Sequence, residues 1–295
     1  MGVSPLHIFR QGSSIMALLN IAVSKGKNKA EKIKTPGPVF EEIVSARNPD
    51  LIRDYIIHTG GDMNWYKGVI PYHMFPQWGF PLLAKTLYDL PYDISRILNA
   101  GVKIEVFNKI PANEDLHLKA RLIDVDDNGM RVICKQNLIT GTKSSPNALS
   151  SEVTTIIPLK SQKKSGEKKE KPKIPDTARE IGILNLSSNM GFEFSLLTGD
   201  FNPIHWLKPY ANISGFSNVI LHGFSTMARA IEVLNERVLC GNPMRMETVE
   251  VKFIKPVTLP SVVKIYITDE CDIFVGKAKT GEAYIVGRYG LKKEV

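Results

Sequence analysis

Polar and apolar residues alternate in several segments of the chain, with the period of two that half-buried strands have. Across residues 116–122 a leucine or alanine stands at every second position, and His117, Lys119 and Arg121 stand between them. This pattern is typical of an antiparallel strand with one face in the core and the other in water. Further strands are predicted to begin near Val102 and Val249, and to cover 130–138, 151–159, 271–278 and 283–289.

Two other segments have the spacing of three and four residues that places apolar side chains on one face of a helix. In the second half of the chain these residues are Phe224, Met227, Ala228, Ile231, Leu234 and Val238. In the first half they are Phe80, Leu83, Ala84, Leu87 and Leu90, and Pro91 is predicted to end that helix. Each half is therefore predicted to be α+β, with an antiparallel sheet wrapped round one main helix.

The two halves also resemble each other in sequence, which predicts a duplicated fold. TGGDMN at 59–64 matches TGDFN at 198–202, and VIPYHMF at 69–75 matches VILHGF at 219–224. We therefore predict four segments along the chain: an N-terminal extension over 1–45, a first unit over 46–160, a Lys-rich linker over 161–175 and a second unit over 176–295. The two units would pack side by side as a pseudo-dimer within one chain.

The net charge of +8 is confined to two short segments. Residues 24–34 hold five Lys and one Glu, residues 161–175 hold six Lys and two Glu, and the rest of the chain has 27 residues of each sign. Neither segment places aromatic residues among its lysines, as a surface for single-stranded nucleic acid would. Both are predicted to be solvated connectors without a nucleic-acid partner, and docking of 161–175 to an acidic carrier protein stays open.

The composition favours a soluble, cytoplasmic protein. With 43% hydrophobic and 23% charged residues, the chain has enough apolar material for a sizeable core. No run of 18 apolar residues occurs, so no membrane span is predicted. Cys134, Cys240 and Cys271 cannot all pair with one another and fit no zinc motif, which favours reduced thiols.

The densest group of chemically active residue types is TGDFNPIH at 198–205. Gly199 permits a tight turn, and Pro203 disfavours helical geometry at Asn202, so a compact loop is predicted. Such a loop can bring Asp200 and His205 to face a common point, where together they can hold a water, accept one proton and donate another. Asn202 is expected to order the loop or to bond the water.

A second element lies where the main helix of the second half begins. Residues 221–223 are Leu-His-Gly, and the N–H groups at a helix start are unsatisfied and lie at the positive end of the dipole. Gly223 has no side chain to obstruct a close approach. Its N–H is predicted to donate to a thioester carbonyl oxygen and to stabilise negative charge there. We expect the side chain of His222 to form structural hydrogen bonds.

The segment FSLLTGDFNPIHWLKPYA at 194–211, followed by ILHGF at 220–224, resembles the MaoC-like family of (R)-specific enoyl-thioester hydratases and 3-hydroxyacyl-thioester dehydratases. The family signature is matched in full by Gly199, Asp200, Asn202, Pro203, Ile204, His205 and Ala211. The resemblance implies a double hot-dog fold, with Asp200 and His205 activating the water, Gly223 polarising the thioester carbonyl and Asn202 ordering the loop. Leu207 replaces an acidic residue that many relatives have two positions after the histidine, which leaves the subfamily open.

The first half matches the pattern only as a degenerate copy, as in the family's double hot-dog members. It keeps Gly61, Asp62 and Asn64, but Lys67 stands where a histidine is needed and His73-Met74 replaces the His-Gly pair. We therefore predict one active site, in the second half, with the first half serving as a lid and wall for the acyl chain. His7 and His117 are expected at the surface, and His58 and His73 in structural or surface roles.

The predicted reaction is the reversible hydration of a trans-2-enoyl thioester to an (R)-3-hydroxyacyl thioester. No metal or redox cofactor is predicted, because coenzyme A or phosphopantetheine enters as part of the substrate. Chain length, the carrier, the direction, the division of proton transfers between Asp200 and His205, and homodimer formation stay open. The alternatives are a hot-dog thioesterase using Glu232 on the main helix and a non-catalytic acyl-thioester-binding subunit of a two-component dehydratase.

Overall fold

The computed structural model describes residues 2–23, 33–159 and 170–293. Most of the Lys-rich segment 24–34 and the greater part of the predicted linker therefore lie outside the described residues. Twelve strands are found in the described part of the chain: β1 (Val39–Val44), β2 (Leu98–Val106), β3 (Leu116–Asp127), β4 (Arg131–Gly141), β5 (Leu149–Pro158), β6 (Arg179–Leu186), β7 (Ile220–Leu221), β8 (Met246–Phe253), β9 (Val257–Thr258), β10 (Ser261–Ile267), β11 (Asp272–Gly276) and β12 (Ala283–Leu291).

Ten of these strands form one antiparallel sheet in the order β1-β3-β4-β5-β2-β8-β12-β11-β10-β6. Counted from each outer edge inward, the first half places its strands in the chain order first, third, fourth, fifth, second, and the second half repeats that order. The halves join where β2 pairs with β8, with Val102 opposite Val251 and Ile104 opposite Val249. A separate small sheet pairs β7 with β9. The predicted duplication is thus present in the sheet topology.

Six α-helices lie in the described residues: α1 (Gly12–Val23), α2 (Pro49–Thr59), α3 (Pro76–Lys85), α4 (Met190–Thr198), α5 (Lys208–Ile213) and α6 (Gly223–Arg237). The main helices are α3 and α6, and one hydrophobic core built from both halves packs against them. The predicted α+β organisation is therefore observed. No described helix has the length and apolar character needed to cross a bilayer.

The predicted helix of the first half is longer than the observed one. α3 ends at Lys85, although the apolar spacing continues to Leu90. The carbonyl of Leu83, which another helical turn would use, accepts instead from Thr86 N–H at 3.1 Å, from Thr86 Oγ1 at 2.8 Å and from Gln136 Nε2 on β4 at 2.7 Å. Leu87 and Leu90 are buried all the same, in a smaller second core.

The predicted extension over 1–45 is packed onto the body of the protein. β1 lies within it and pairs with β3, so the sheet of the first half begins at Val39, before residue 46. His7, expected at the surface, is 1% exposed, and its Nε2 lies 2.8 Å from Asp54 Oδ2 on α2. Because this contact satisfies the ring nitrogen, the histidine can be buried.

The end of the predicted linker over 161–175 is also part of the folded body. Lys173 forms an isolated β-bridge with Glu282. Ile174 is 1% exposed and packs in a small core with Ala178 and Tyr266. The second half therefore begins with ordered chain a few residues before residue 176.

Candidate active site

The loop that follows α4 is held by its own polar side chains. α4 is capped at its C-terminal end by Gly199, whose φ of +81° is the left-handed conformation that glycine adopts without strain. Asn202 N–H donates to Asp200 Oδ1 at 3.3 Å, and Asn202 Oδ1 accepts from Ile204 N–H at 3.3 Å. Asn202 thereby caps the short 3-10 turn over Pro203–His205. The structure places Asn202 where it orders the loop.

His205 is fixed in one orientation by the small sheet. It is 8% exposed, and its Nδ1 donates to the carbonyl of Ile220 on β7 at 2.8 Å. In the neutral ring this bond assigns the proton to Nδ1 and leaves Nε2 as an acceptor. The ring also stacks on His222, with 3.5 Å between ring centroids.

Asp200, His205 and His222 form one cluster. Each offers a ligand-type atom, and these atoms all lie within 4.8 Å of one another. His222 Nε2 donates to the backbone carbonyl of Asp200 at 3.1 Å and lies 3.8 Å from its Oδ2. The two residues predicted to activate water are therefore brought together, and His222 takes the structural role expected of its side chain by holding the Asp200 backbone.

Burial keeps the histidines of the cluster neutral. It lowers the pKa of His205, and the Asp200 carboxylate and the hydrogen bond to Ile220 only partly oppose that shift. Burial also brings the pKa of His222 well below its usual range, and neighbouring His205 lowers it further. A neutral His205 can accept a proton through Nε2 at neutral pH.

Gly223 is the first residue of α6, as predicted. An N–H at this position has no acceptor within the helix, because the helix starts there. A Cβ on Gly223 would lie 2.9 Å from the ring of Phe253, so the site has no room for a side chain. The Gly223 N–H is therefore placed, with the positive end of the helix dipole, where a carbonyl oxygen could approach.

Aromatic rings from both halves pack beside this helix start. The Phe224 ring centroid lies 5.6 Å from that of Phe75, 5.4 Å from that of Phe80 and 5.3 Å from that of Phe253. Phe75 and Phe80 belong to the first half, which thus contributes an apolar wall next to Gly223. That the first half forms a wall for the acyl chain stays a prediction.

The hydrogen bonds of the cluster limit which ring nitrogens could bind a metal ion. His205 Nδ1 and His222 Nε2 are each bonded to a backbone carbonyl, and a nitrogen that donates its proton cannot also ligate a metal. Asp200, His205 and His222 are the one group of three or more potential ligands within bonding range in the described ranges. His205 Nε2 and His222 Nδ1 keep their lone pairs, so a metal ion would have to be bound through these two nitrogens.

The corresponding region of the first half repeats the loop but not the chemistry. α2 is capped at its C-terminal end by Gly60, with a φ of +92°, and Asp62 accepts from Asn64 N–H at 2.8 Å, as Asp200 does from Asn202. No described first-half histidine takes the place of His205, since Lys67 stands there. The first half thus keeps the loop architecture of the second.

Glu232 closes the first-half region from the other side. Its carboxylate is 1% exposed and accepts from Tyr66 Oη at 3.0 Å, from His73 Nε2 at 3.0 Å and from Asn235 Nδ2 at 2.9 Å. A Cβ on Gly61 would lie 2.6 Å from Glu232 Oε1. His73 therefore has the structural role expected of it, at the contact between the halves.

Two supporting features were not identified from the sequence. A Cβ on Gly191 of α4 would lie 2.0 Å from the carbonyl oxygen of His205, so this glycine lets the loop pack on the helix. Gln11 is fully buried, donates to the carbonyl of Leu196 at 2.9 Å and accepts from Gln77 at 3.2 Å. No sequence pattern predicts such contacts for a glycine near a helix start or for a glutamine in an N-terminal extension.

Comparison with known proteins places this geometry in a family. Residues 166–286 match the model of the MaoC like domain. The chain is 25% identical over 194 residues to the peroxisomal enoyl-CoA hydratase 2 of Arabidopsis thaliana, covering 57% of this chain and 60% of the relative. It is 24% identical over 188 residues to the 3-hydroxyacyl-thioester dehydratase X of Mycobacterium tuberculosis, covering 62% of this chain and 64% of the relative. The match thus spans less than two thirds of each relative.

Solved structures share the fold over most of the chain. HtdX of M. tuberculosis has a TM-score of 0.69 at 18% identity, covering 85% of this chain and 98% of HtdX. Another M. tuberculosis protein, described as having a double hotdog fold, has a TM-score of 0.60 at 10% identity, covering 88% of this chain and 96% of that protein. The predicted double hot-dog is confirmed. Residues 166–286 belong to the MaoC-like dehydratase domain family, within a chain that has the double hot-dog fold.

Proposed function

We propose that this chain catalyses the reversible addition of water to a trans-2-enoyl thioester, giving a 3-hydroxyacyl thioester. The observation that supports this most is the pairing of Asp200 with a neutral His205 whose Nε2 is unprotonated, in the same unit as the free N–H of Gly223. The names of the two curated relatives agree with this hydro-lyase class.

The geometry supports a stepwise account of the chemistry. The water oxygen bonds to C3 of the acyl group as its proton passes to His205 Nε2, and the electrons of the double bond move toward the thioester carbonyl. Gly223 N–H stabilises the negative charge that develops on the carbonyl oxygen. The Asp200–His205 pair then returns the proton to C2, which completes the addition of one water. Dehydration runs through the same steps in reverse.

The thioesterase alternative loses its main support. Glu232 would need to meet a thioester, but its carboxylate is buried and engaged by Tyr66, His73 and Asn235. The non-catalytic alternative would require a partner to supply missing groups. Asp200, His205 and Gly223 are instead supplied by one unit of this chain, which favours an enzyme that acts alone on an acyl-CoA or acyl carrier protein substrate.

The test is the hydration of crotonyl-CoA and longer enoyl-CoAs, followed by loss of enoyl absorbance, with chiral analysis of the product for the predicted (R) configuration. D200N and H205Q should each lower kcat/KM by about 10²- to 10⁴-fold, the range for removal of a general acid or base. D62N is the matched control, since Asp62 is exposed and occupies the equivalent place in the first half. Its rate should equal that of the wild type.

Several outcomes would refute the proposal. Unchanged rates in D200N and H205Q would show that these groups do not transfer the protons. Release of free thiol from acyl-CoA without reversible water addition would favour a thioesterase. Activity that appears only when a second protein is added would favour a non-catalytic subunit of a two-component dehydratase.

A further inference from the structure

One face of α6, beginning at the candidate active site, carries a group of buried polar atoms that have no hydrogen-bond partner. His222, at the cap of α6, and Ser225 and Arg229 within it are three and four residues apart and so share a face. His222 Nδ1, Ser225 Oγ, and Nε and Nη2 of Arg229 are buried without hydrogen-bond partners. Buried polar atoms in native proteins are almost always paired, so a cluster of orphans indicates something that should bind there.

His58 on α2 belongs to the same group. Its Nε2 is also buried without a partner, and its Nδ1 lies 3.5 Å from Glu193 Oε2. The rings of His58 and His222 both pack on Phe194, with centroids 6.3 Å and 5.0 Å away. Burial, with the charge of Arg229 beside it, lowers the pKa of His58 to about 3. These side chains therefore form one connected region behind the catalytic cluster.

Arg229 gives this region its chemical character. The residue is 7% exposed, and its two orphaned nitrogens, Nε and Nη2, are the pair whose N–H bonds run side by side. That fork is the geometry in which an arginine binds a carboxylate through two parallel hydrogen bonds. A buried guanidinium with this edge unoccupied is a built site for an anionic, planar acceptor.

The carboxylate already nearby does not fill this site. Glu193 Oε1 accepts from Asn189, and its other oxygen faces His58, so neither oxygen is bonded to Arg229. Burial lowers the pKa of Arg229 to about 10 although Glu193 opposes the shift. Because Nε and Nη2 of Arg229 have no hydrogen-bond partner, a second carboxylate on this edge would be stabilised there.

We propose that Arg229 binds a carboxylate on the acyl group of the substrate, so that the enzyme acts on carboxylated enoyl thioesters. This inference rests on the proposed function, because it places the thioester carbonyl at Gly223. Arg229 lies six residues further along α6, a rise of about 9 Å, and helical side chains lean back toward the N-terminus. This axial rise is about the length of an acyl chain of short to medium length, so the proposal places the carboxylate at the far end of such a chain.

The experiment compares 2-enoyl-CoAs of equal length that end in either a methyl or a carboxylate group, at six, eight and ten carbons. At the best-fitting length, wild-type kcat/KM should be about ten- to a hundredfold higher for the carboxylated substrate, the range for charge-assisted hydrogen bonds. R229M should lose this preference, so that its kcat/KM is the same for the two substrates of each pair. R229K should restore only part of it, because an ammonium lacks the fork.

The matched control is R237M, which makes the same change at an exposed position of the same helix. It should keep the wild-type preference. A uniform loss in R229M on both substrates, or a wild-type preference for methyl-ended chains at every length, would overturn the inference and leave ordered water as the occupant of the site.

Binding of saturated carboxylated acyl-CoAs, measured by calorimetry on the same variants, separates this inference from the proposed function. Weaker binding to R229M with no hydration by wild type would refute the hydratase and support the Arg229 site. If wild type hydrates methyl-ended substrates, and the carboxylated acyl-CoA binds equally to wild type and R229M, the Arg229 site is refuted and the hydratase is supported.

Discussion

Replacing Gly191 with alanine should separate the packing of the catalytic loop from the stability of the helix that supports it. Gly191 is the second residue of α4, and intrinsic helix propensity alone predicts that alanine stabilises such a position by about 0.5–1 kcal/mol. The contact predicts the opposite. The added Cβ would lie 2.0 Å from the carbonyl oxygen of His205, whereas a close carbon–oxygen contact is about 3.3 Å.

The size of the effect follows from this overlap. The neighbour is backbone, so it cannot rotate away, and the loop bearing His205 must move by about 1 Å. A misplacement of about 1 Å at reacting groups can cost about 10²-fold in rate. Overpacking of this kind also destabilises by about 1–3 kcal/mol, which exceeds the propensity gain. G191A should therefore be slower and less stable than the wild type.

The assay measures kcat and KM with an enoyl-CoA, together with urea unfolding. G12A is the matched control, since Gly12 also begins a helix and a Cβ there meets nothing within 4 Å. It should keep the wild-type kcat and lose no stability. If G191A behaves like G12A, the position of His205 is not set by its contact with α4.

Two further predictions concern buried polar side chains. The pKa of His58 is about 3 in the folded protein and about 6.5 in the unfolded chain, so only the unfolded state takes up this proton as the pH falls from 6.5. The free energy of unfolding should therefore fall by about 2 kcal/mol between pH 6.5 and pH 5. In urea unfolding, H58Q should remove this part of the dependence of stability on pH. H117Q, on an exposed strand face, should leave it unchanged. Gln11→Ala leaves the buried carbonyl of Leu196 and Nε2 of Gln77 without these hydrogen bonds, so the free energy of unfolding should fall by about 1–3 kcal/mol. S13A, at an exposed position of the neighbouring helix α1, should change it little. Equal urea midpoints in Q11A and wild type would show that the hydrogen bonds of Gln11 do not contribute to stability.

The parts of the fold that depend on local periodicity could be predicted from the sequence. The alternation at 116–122 matches β3, where Leu116, Leu118, Ala120 and Leu122 are buried. The apolar stripe from Phe224 to Leu234 matches α6. These patterns succeed because burial on one face imposes a period on the chain. The duplication could be predicted because the two halves have similar residues at corresponding positions of the loop and of the helix start.

The errors arose where a distant part of the chain decides the outcome. α3 stops at Lys85, where the carbonyl of Leu83 accepts from Thr86 and from Gln136, far along the sequence, in place of the next helical N–H. His7 is buried because Asp54 meets it. The Arg229 region could not be predicted for the same reason, since it is recognised by buried side-chain atoms that have no hydrogen-bond partner in the folded protein. Sequence spacing does not specify long-range hydrogen bonds.

The buried carboxylate of Glu232 offers a physical reason why one unit is suited to chemistry and the other is not. Glu232 stands ten residues after His222, on the main helix of the second half, and its side chain fills the region of Gly61 and His73 in the first half. The equivalent residue of the first half, ten residues after His73, is Leu83, which has no polar group to present. His73 is the counterpart of His222, and its ring bonds the Glu232 carboxylate where the ring of His222 bonds the backbone of Asp200. The duplicated scaffold has therefore become asymmetric through its helix partners, as well as through the loss of a histidine at Lys67.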